Sequence, residues 1–136
     1  MNIQKVDLSL LESENNRSGA IALLGLDNIF VSDDGRFFMS VEIEDKHLNA
    51  IGIVHGGIMY TICDQTVAAY DICLGRKAVG MDGSMHYYRP AHKGDILTSY
   101  LTDRKVGHRT TVHMVELRNQ ENVLIADAMY TSMYLD

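Results

Sequence analysis

Nine residues, Asn49-Ala50-Ile51-Gly52-Ile53-Val54-His55-Gly56-Gly57, lead into an apolar stretch with one carboxylate in its middle, Asp64. Two adjacent glycines at a helix start let another group approach the backbone closely. The first N–H groups of a helix have no partner within it, and the macrodipole adds about half a positive charge there. Together they make a site for a carbonyl whose oxygen becomes negative during attack. Read locally, the same residues are equally a tight turn into a helix. Asp64 lies among Ile62, Cys63, Val67 and Ala68, so it is expected to be buried. Asp is a poor helix former and an unpaired buried charge is expensive, so this one needs a partner or a chemical task. It is either a general base or a structural acid bonded to a neighbouring strand. Gly56 and Asp64 are separated by about 12 Å of helical rise and roughly 80° of rotation. A donor and a base serving one carbonyl must both lie within a few ångströms of it. The spacing therefore predicts a two-fold dimer in which Gly56 of one subunit faces the other's Asp64.

Other reactive side chains fit bland roles better. Cys63 adjoins Asp64 but falls on the Met59–Val67 apolar stripe, which predicts a buried structural thiol. Cys63 and Cys73 would stand about 15 Å apart along one helix, too far for a disulfide. His47, His92, His108 and His113 show no ligand spacing, and no metal is expected. The eight Met residues suit core filling or an adaptable pocket.

The elements that must position these residues follow from the pattern. Residues 1–17 form an N-terminal segment with little beyond Leu8, Leu10 and Leu11 to order it. Residues 18–26 predict a short helix, capped by Ser18 and stopped by Gly25. Asp33-Asp34-Gly35 signals a turn, and Phe37, Met39, Val41 and Ile43 alternate as in a strand. Met59, Cys63, Val67, Tyr70 and Leu74 recur at helical spacing, which predicts a largely buried central helix over 55–74, ended by Gly75. Stretches 77–88, 96–102, 110–117 and 123–134 are rich in strand formers and separated by turn residues. In the first of them Val79, Met81, Met85 and Tyr87 alternate. The economical packing is an α+β domain, a curved antiparallel sheet of five to six strands wrapped on one long helix.

With 136 residues, the chain is expected to be one domain, 1–136. Its 12 basic against 18 acidic residues leave a net charge of −6, which argues against nucleic acid as a partner. No apolar run approaches the ~20 residues of a membrane span, and no signal peptide pattern opens the chain, so a cytoplasmic location is expected. The charge is uneven. Between 85 and 118 lie Arg89, Lys93, Arg104, Lys105, Arg109 and Arg118, against Asp95, Asp103 and Glu116. That local excess suits a small phosphorylated ligand, with Arg89, His108 and Arg109 the best phosphate candidates. Taken one by one, these are ordinary solvated strand ends.

Asn49, Gly52, His55-Gly56-Gly57, Asp64 and Tyr87-Tyr88-Arg89-Pro90-Ala91 resemble the hotdog-fold acyl-CoA thioesterases of the PaaI type. Leu24-Gly25-Leu26 and Gly35 match the entry of such proteins, and the resemblance covers about residues 20–135. It implies a hotdog fold, a homodimer or homotetramer with shared active sites, and hydrolysis of an acyl-CoA, with aryl or arylacetyl groups among the candidates. It implies no cofactor, coenzyme A being part of the substrate. Gly56 would offer its N–H to the thioester carbonyl, Asp64 would be general base or nucleophile, and Asn49 and His55 would shape the loop and orient the thioester. Gly57, Gly80, Met81, Arg89, His108 and Arg109 would line the substrate. A thioester needs no Ser-His-Asp triad, since a thiolate leaves readily, and no GxSxG elbow is present. One departure matters: Gly80 stands where many relatives carry a Ser or Thr that helps hold the water. Ser84, read as lying on the same strand face, is ~13 Å further on. His86, where Asn is common, is expected to face solvent or an interface. A non-catalytic acyl-CoA-binding module is the competing expectation. A DNA-binding regulator has no room for its reading helix, and a hotdog dehydratase would need a differently worded loop.

Overall fold

Alternate residues of one strand, Phe37, Met39 and Val41, are buried while their neighbours are not. The same two-residue period recurs in the later strands and sets the layer that covers the helix. The computed structural model describes residues 6–15 and 19–136. Two short helices come first, α1 (Ser9–Asn15) and α2 (Gly19–Leu24), then β1 (Ile29–Val31) and β2 (Phe37–Glu42). A 3-10 turn (Asp45–His47) precedes the central helix α3 (Gly56–Cys73). Four long strands follow: β3 (Ala78–Tyr87), β4 (Ile96–Val106), β5 (Thr110–Arg118) and β6 (Leu124–Tyr134). All strand pairs are antiparallel, in the order β1-β2-β4-β5-β6-β3. The sheet wraps α3, as expected of a hotdog fold. The connection from α3 carries β3 to the far edge, beside β6.

Three features differ from the sequence expectation. Helix α1 lies in the segment read as patternless; Leu11 is buried and the Asp7 N–H donates to the Cys73 carbonyl (2.8 Å), docking it on the end of α3. Seven residues carry too little period to show as a helix, and the docking is tertiary. Strand β1 is likewise too short to alternate visibly. Ser18, read as the cap of α2, lies outside the described residues. Gly75, at φ 74°, ends α3 as expected.

The third difference is a bulge. The β3–β6 register slips between Gly80 and Asp82, so Met81 is the extra residue. Gly80 opposes the inward Ser132, and Gly83, Met85 and Tyr87 oppose the inward Tyr130, Ala128 and Ala126. Ser84 opposes the exposed Met129 and therefore lies on the other face from Gly80, contrary to the simple alternation. Val79, opposite the exposed Met133, faces outward beside inward Gly80, and Met81, the bulged residue, is 58% exposed. His86 is on the outer face, its ring stacked on Tyr88.

Helix α3 is buried on all but one stripe, along which Gly57, Asp64 and Ala68 reach solvent. Asp64, expected to be buried, is exposed in the single chain. The buried helix acid is Asp71, 3% exposed. Burial pushes its carboxyl up to about 6. His113, fully buried on β5, brings Nδ1 to 2.8 Å of Asp103 Oδ1, off the line of an ideal hydrogen bond. The Tyr70 hydroxyl donates to Asp103 Oδ2 at 3.2 Å. Burial alone would raise Asp103, but the contacts from His113 and Tyr70 outweigh it and hold it below the usual carboxylate range.

Two outcomes follow from this packing. A Cβ at Gly83 would collide with the Tyr60 hydroxyl and the Tyr130 ring, which meet edge to face at 5.3 Å between centroids. Gly83→Ala is therefore expected to destabilise by about 1–3 kcal/mol in urea unfolding; a change under about 0.5 kcal/mol would contradict this packing. Asp71 binds its proton more tightly folded than unfolded. Between about pH 4 and pH 6 the folded state holds more protons, so this group's contribution to stability falls as pH rises and levels off above its folded pKa. Asp71→Asn should remove that fall, on the order of 3 kcal/mol, from a stability-versus-pH profile; an unchanged profile would place the ionisation elsewhere.

Candidate active site

The start of α3 is held by a chain of local hydrogen bonds. His47 is 1% exposed. Its Nδ1 accepts from the Glu44 N–H (3.0 Å), so Nε2 carries the proton and donates to the Leu24 carbonyl (2.8 Å). The His47 carbonyl accepts the His55 N–H at 2.9 Å, and Val54 N–H donates to the Ala91 carbonyl at 2.9 Å. Between these anchors Asn49 closes the loop, its Oδ1 accepting from Ile51 and Ile53 N–H at 3.1 and 3.2 Å. Gly52 turns the chain at φ 84°, the left-handed region. Asn49 thus shapes the loop by backbone capture.

His55 is the N-cap of α3, and its Nδ1 accepts from the Gly57 N–H at 2.9 Å. A Cβ at position 57 would stand 3.1 Å from that nitrogen, so the second glycine makes room for the cap. At Gly56 a Cβ would meet the Tyr87 ring and hydroxyl at 3.3 Å, and that hydroxyl donates to the Gly56 carbonyl at 2.9 Å. The Gly56 N–H has no acceptor among the described residues. It borders a cleft of about 370 Å³ lined by Asn49, Val54, Gly56, Met59, Tyr87 and Arg89, among others. Arg89 also lines this cleft and is exposed, and it has no acidic partner among the described residues. A cleft of this size, with an unpaired N–H at the positive end of an 18-residue helix, suits a polarised carbonyl near a phosphorylated ligand.

Helix α3 runs antiparallel to β3. Gly56 lies at Tyr87, Tyr60 lies at Gly83, and Ala68 and Ile72 share a cavity with Lys77 and Ala78. The turn bearing Asp64 falls between the last two contacts, along the stretch of β3 that holds Gly80. A Cβ at Gly80 would meet no atom within 4 Å, so this inward position opens onto free space. Asp64 is exposed by surface area, yet surrounding protein raises its carboxyl above the usual range through desolvation. The two observations agree if the carboxylate lies in a recess, reached by solvent but walled by protein. Its carboxylate has no hydrogen-bonding partner among the described residues.

Within one chain the expected site residues form separate groups. Asn49, His55, Gly56, Gly57 and Arg89 gather at the start of α3. Asp64 and Gly80 lie two turns further along, and Met81 points outward, 58% exposed. His108 and Arg109 are in the β4–β5 turn, beside Tyr134, whose N–H donates to the Arg109 carbonyl. Arg89 is at the opposite end of β6, beside Ile125, so the two cationic groups are separated by roughly 30 Å of strand. Sequence reasoning missed His47 as an anchor, Tyr87 as the contact to Gly56, and Gly83. A glycine inside a strand pattern is the one signal that could have marked Gly83. No group of three or more His, Cys, Asp or Glu suited to a metal occurs among the described residues.

The sequence profile of the thioesterase superfamily matches residues 51–126. The chain belongs to this superfamily. The matched span contains the α3 start, Asp64 and most of the sheet. A candidate esterase of Archaeoglobus fulgidus is 29% identical over 98 residues, covering 72% of this chain and 64% of that protein, just under two thirds of its length. Acyl-coenzyme A thioesterase PaaI of Escherichia coli is 29% identical over 103 residues, 76% of this chain and 73% of that one. The solved PaaI structure overlays with a TM-score of 0.84 over 94% of this chain and 92% of that one, which establishes the shared fold at 24% identity. A Streptococcus mutans protein solved bound to acetyl CoA is 30% identical, with a TM-score of 0.73 over 79% of this chain and 86% of that one. No helix among the described residues is long and apolar enough to cross a membrane.

The cap geometry carries its own expectation. His55→Ala should cost about 1 kcal/mol of stability, the usual worth of an N-cap side chain. Gly57→Ala should cost a similar amount by displacing the ring, and the double variant should cost little more than either. Full additivity in thermal or urea melts would mean that the ring and the glycine act separately.

Proposed function

We propose that this protein hydrolyses an acyl-CoA thioester to a free acid and coenzyme A, at sites built from two subunits. The observation that carries the reading is the Gly56 N–H at the start of α3, without an acceptor among the described residues, at a cleft that Gly56 and Arg89 both line. The E. coli relative's name, an acyl-coenzyme A thioesterase, and the acetyl-CoA bound to the streptococcal neighbour support the substrate class.

The catalytic sequence is short. The Gly56 N–H, reinforced by the helix dipole, donates to the carbonyl oxygen and stabilises the negative charge growing there. Asp64 takes a proton from a water that attacks the carbonyl carbon. The tetrahedral intermediate collapses, the C–S bond breaks, and coenzyme A leaves as a thiolate that is then protonated. Direct attack by the Asp64 carboxylate, with later hydrolysis of the anhydride, gives the same products. Desolvation raises the basicity of Asp64 and suits it to either role. Aryl and arylacetyl thioesters remain one arm of the substrate panel.

The pairing of α3 with β3 supports the two-subunit site. β3 is an edge strand of ten residues with Gly83 near its middle, and Tyr60 sits at Gly83. Gly56 and Asp64 are each four residues from Tyr60. Antiparallel pairing of β3 with a second copy, about an axis near Gly83, would therefore bring each Gly56 opposite the partner subunit's Asp64. The same axis brings Arg89 toward the partner subunit's Arg109, resolving their separation within one chain. The competing reading, a non-catalytic acyl-CoA-binding module, draws on Gly80, which offers no hydroxyl to hold the water.

Free-thiol release from a panel of CoA thioesters tests the activity. Asp64→Asn should lower kcat/KM by about 10²–10⁴-fold. In the native protein the rate should rise with pH through an ionisation above the usual Asp value of 3.8 and then level off, because the deprotonated acid is the active form. Gly56→Pro removes the N–H and adds a ring at a helix position that tolerates proline, and should cost about 10²–10³-fold relative to Gly56→Ala, which shares the added Cβ and keeps the N–H. Mixing Asp64→Asn with Gly56→Pro should restore about a quarter of native activity, from hybrids with one intact site. No recovery despite subunit exchange would sink the shared site. Tight binding without thiol release by the native protein would favour the binding module.

A further inference from the structure

Where α1 and the end of α3 meet the start of β3, the chain forms a cavity of about 650 Å³. The size falls within the roughly 300–1,000 Å³ usual for ligand pockets. Gly56 and Asp71 are separated by about 22 Å of helical rise, so this cavity is distinct from the cleft at the helix start. Leu10, Ile72 and Leu135 give it aliphatic walls. Asp71, Arg76 and Lys77 give it charge, at different depths. Asp71 is 3% exposed, whereas Lys77 is exposed at the rim. Arg76 is already engaged, paired with Asp136 at 3.0 Å and lying 3.6 Å over the Tyr134 ring. The Lys77 ammonium has no ion pair among the described residues.

The buried acid of this cavity is unsatisfied. The Asp71 carbonyl accepts the Leu74 and Arg76 N–H groups at 3.2 and 3.0 Å, but its carboxylate Oδ1 has no hydrogen-bonding partner. Arg76 on the cavity wall and His113 in the interior both act on that carboxylate, which lies between them. Behind it, two carboxylates, Asp71 and Asp103, share one imidazole, His113, and it is Asp103 that takes the Tyr70 hydroxyl. With Arg76 committed to Asp136, Asp71 is left short of a cation. A buried acid without a partner costs stability and calls for one. Asp71 lines the cavity and its two interior neighbours, Asp103 and His113, do not, so a partner for the cluster reaches it through Asp71.

We propose that this cavity is a second binding site, for a small zwitterion of the aliphatic α-amino acid class. The ligand's ammonium pairs with the Asp71 carboxylate, its side chain lies against Leu10, Ile72 and Leu135, and its carboxylate meets Lys77 at the rim. The two charges at two depths select a ligand that carries both. A plain amine would satisfy Asp71 but leave Lys77 as a like charge beside it, and a plain carboxylate would satisfy Lys77 but face Asp71. The inference stands apart from the hydrolase reading, because neither Gly56 nor Asp64 lines this cavity.

The test titrates the full-length protein with three probes and reads affinity by ligand-observed NMR. Leucine carries both charges, 3-methylbutylamine is leucine without its carboxylate, and 4-methylpentanoate is leucine without its amine. Leucine should bind at least about tenfold more tightly than either of the others. Asp71→Asn should weaken leucine and 3-methylbutylamine at least about tenfold and leave 4-methylpentanoate within about twofold. Lys77→Met should weaken leucine about threefold or more and leave 3-methylbutylamine within about twofold. Lys77 is exposed, so its variant keeps the test available if Asp71→Asn does not fold. Equal affinities for the three probes overturn the zwitterion site, as does leucine binding that neither variant moves. No leucine binding by the native protein also overturns it, and would mean that water alone or a second copy of the chain meets Asp71. Thiol release is not a readout here, so each of these failures leaves the hydrolase reading as it stands.

Discussion

The Tyr60 hydroxyl occupies the space that a side chain at position 83 would need. This close approach of α3 to β3 fixes which turn of the helix meets which residue of the edge strand. With Tyr60 at Gly83, Gly56 falls at Tyr87 and the Asp64 turn falls along Gly80. The Tyr130 ring closes the contact from β6, and its hydroxyl donates to the Tyr60 carbonyl at 3.1 Å. Gly56, Asp64 and the cavity beside Ala68 and Ala78 therefore follow one another along a single line of contact. A slip of one residue in β3 would turn every inward side chain outward. The bulge at Met81 sits next to this contact and changes the facing pattern within the strand.

Electrostatics divides the acids by environment. Asp103 is held low by His113 and Tyr70 in spite of its burial. Asp71 lies in the same interior but faces Asp103 as well as His113, and burial leaves it raised. Asp64 has no ion-pair or hydrogen-bonding partner among the described residues, and desolvation by the surrounding protein raises it. Structural acids are usually satisfied by partners, and a group that is desolvated, unpaired and still reachable is the one suited to proton transfer. The net charge of −6 does not oppose an anionic ligand, because Arg89 stands in the cleft beside the helix N-terminus, where both contribute positive potential.

Much of the fold was legible because periodicity survives in sequence. The central helix, the strand at Phe37–Val41 and the four later strands each carry a period that only one element satisfies. The start of α3 was legible in part: Gly57 leaves room for the cap ring two residues away, whereas Gly56 leaves room for Tyr87 of β3, a contact that only the fold brings there. The buried helix acid was misplaced. Asp64 and Asp71 both sit among apolar neighbours in sequence, and their different exposure depends on which stripe of α3 the sheet covers. Likewise Ser84 followed the two-residue rule in sequence and lost its face to one extra residue at Met81.

The sequence by itself determined the element types, the loop that shapes the helix start, and a spacing that keeps Gly56 and Asp64 from serving one carbonyl within a chain. These are short-range properties, set by helix rise, strand alternation and capping chemistry. Only the tertiary structure decided that α3 runs antiparallel to β3 with Tyr60 at its centre, that α1 closes the cavity beyond Ala68, and that Asp71 rather than Asp64 is buried. Each depends on contacts between residues distant along the chain, where close packing selects one arrangement from several that the local pattern allows.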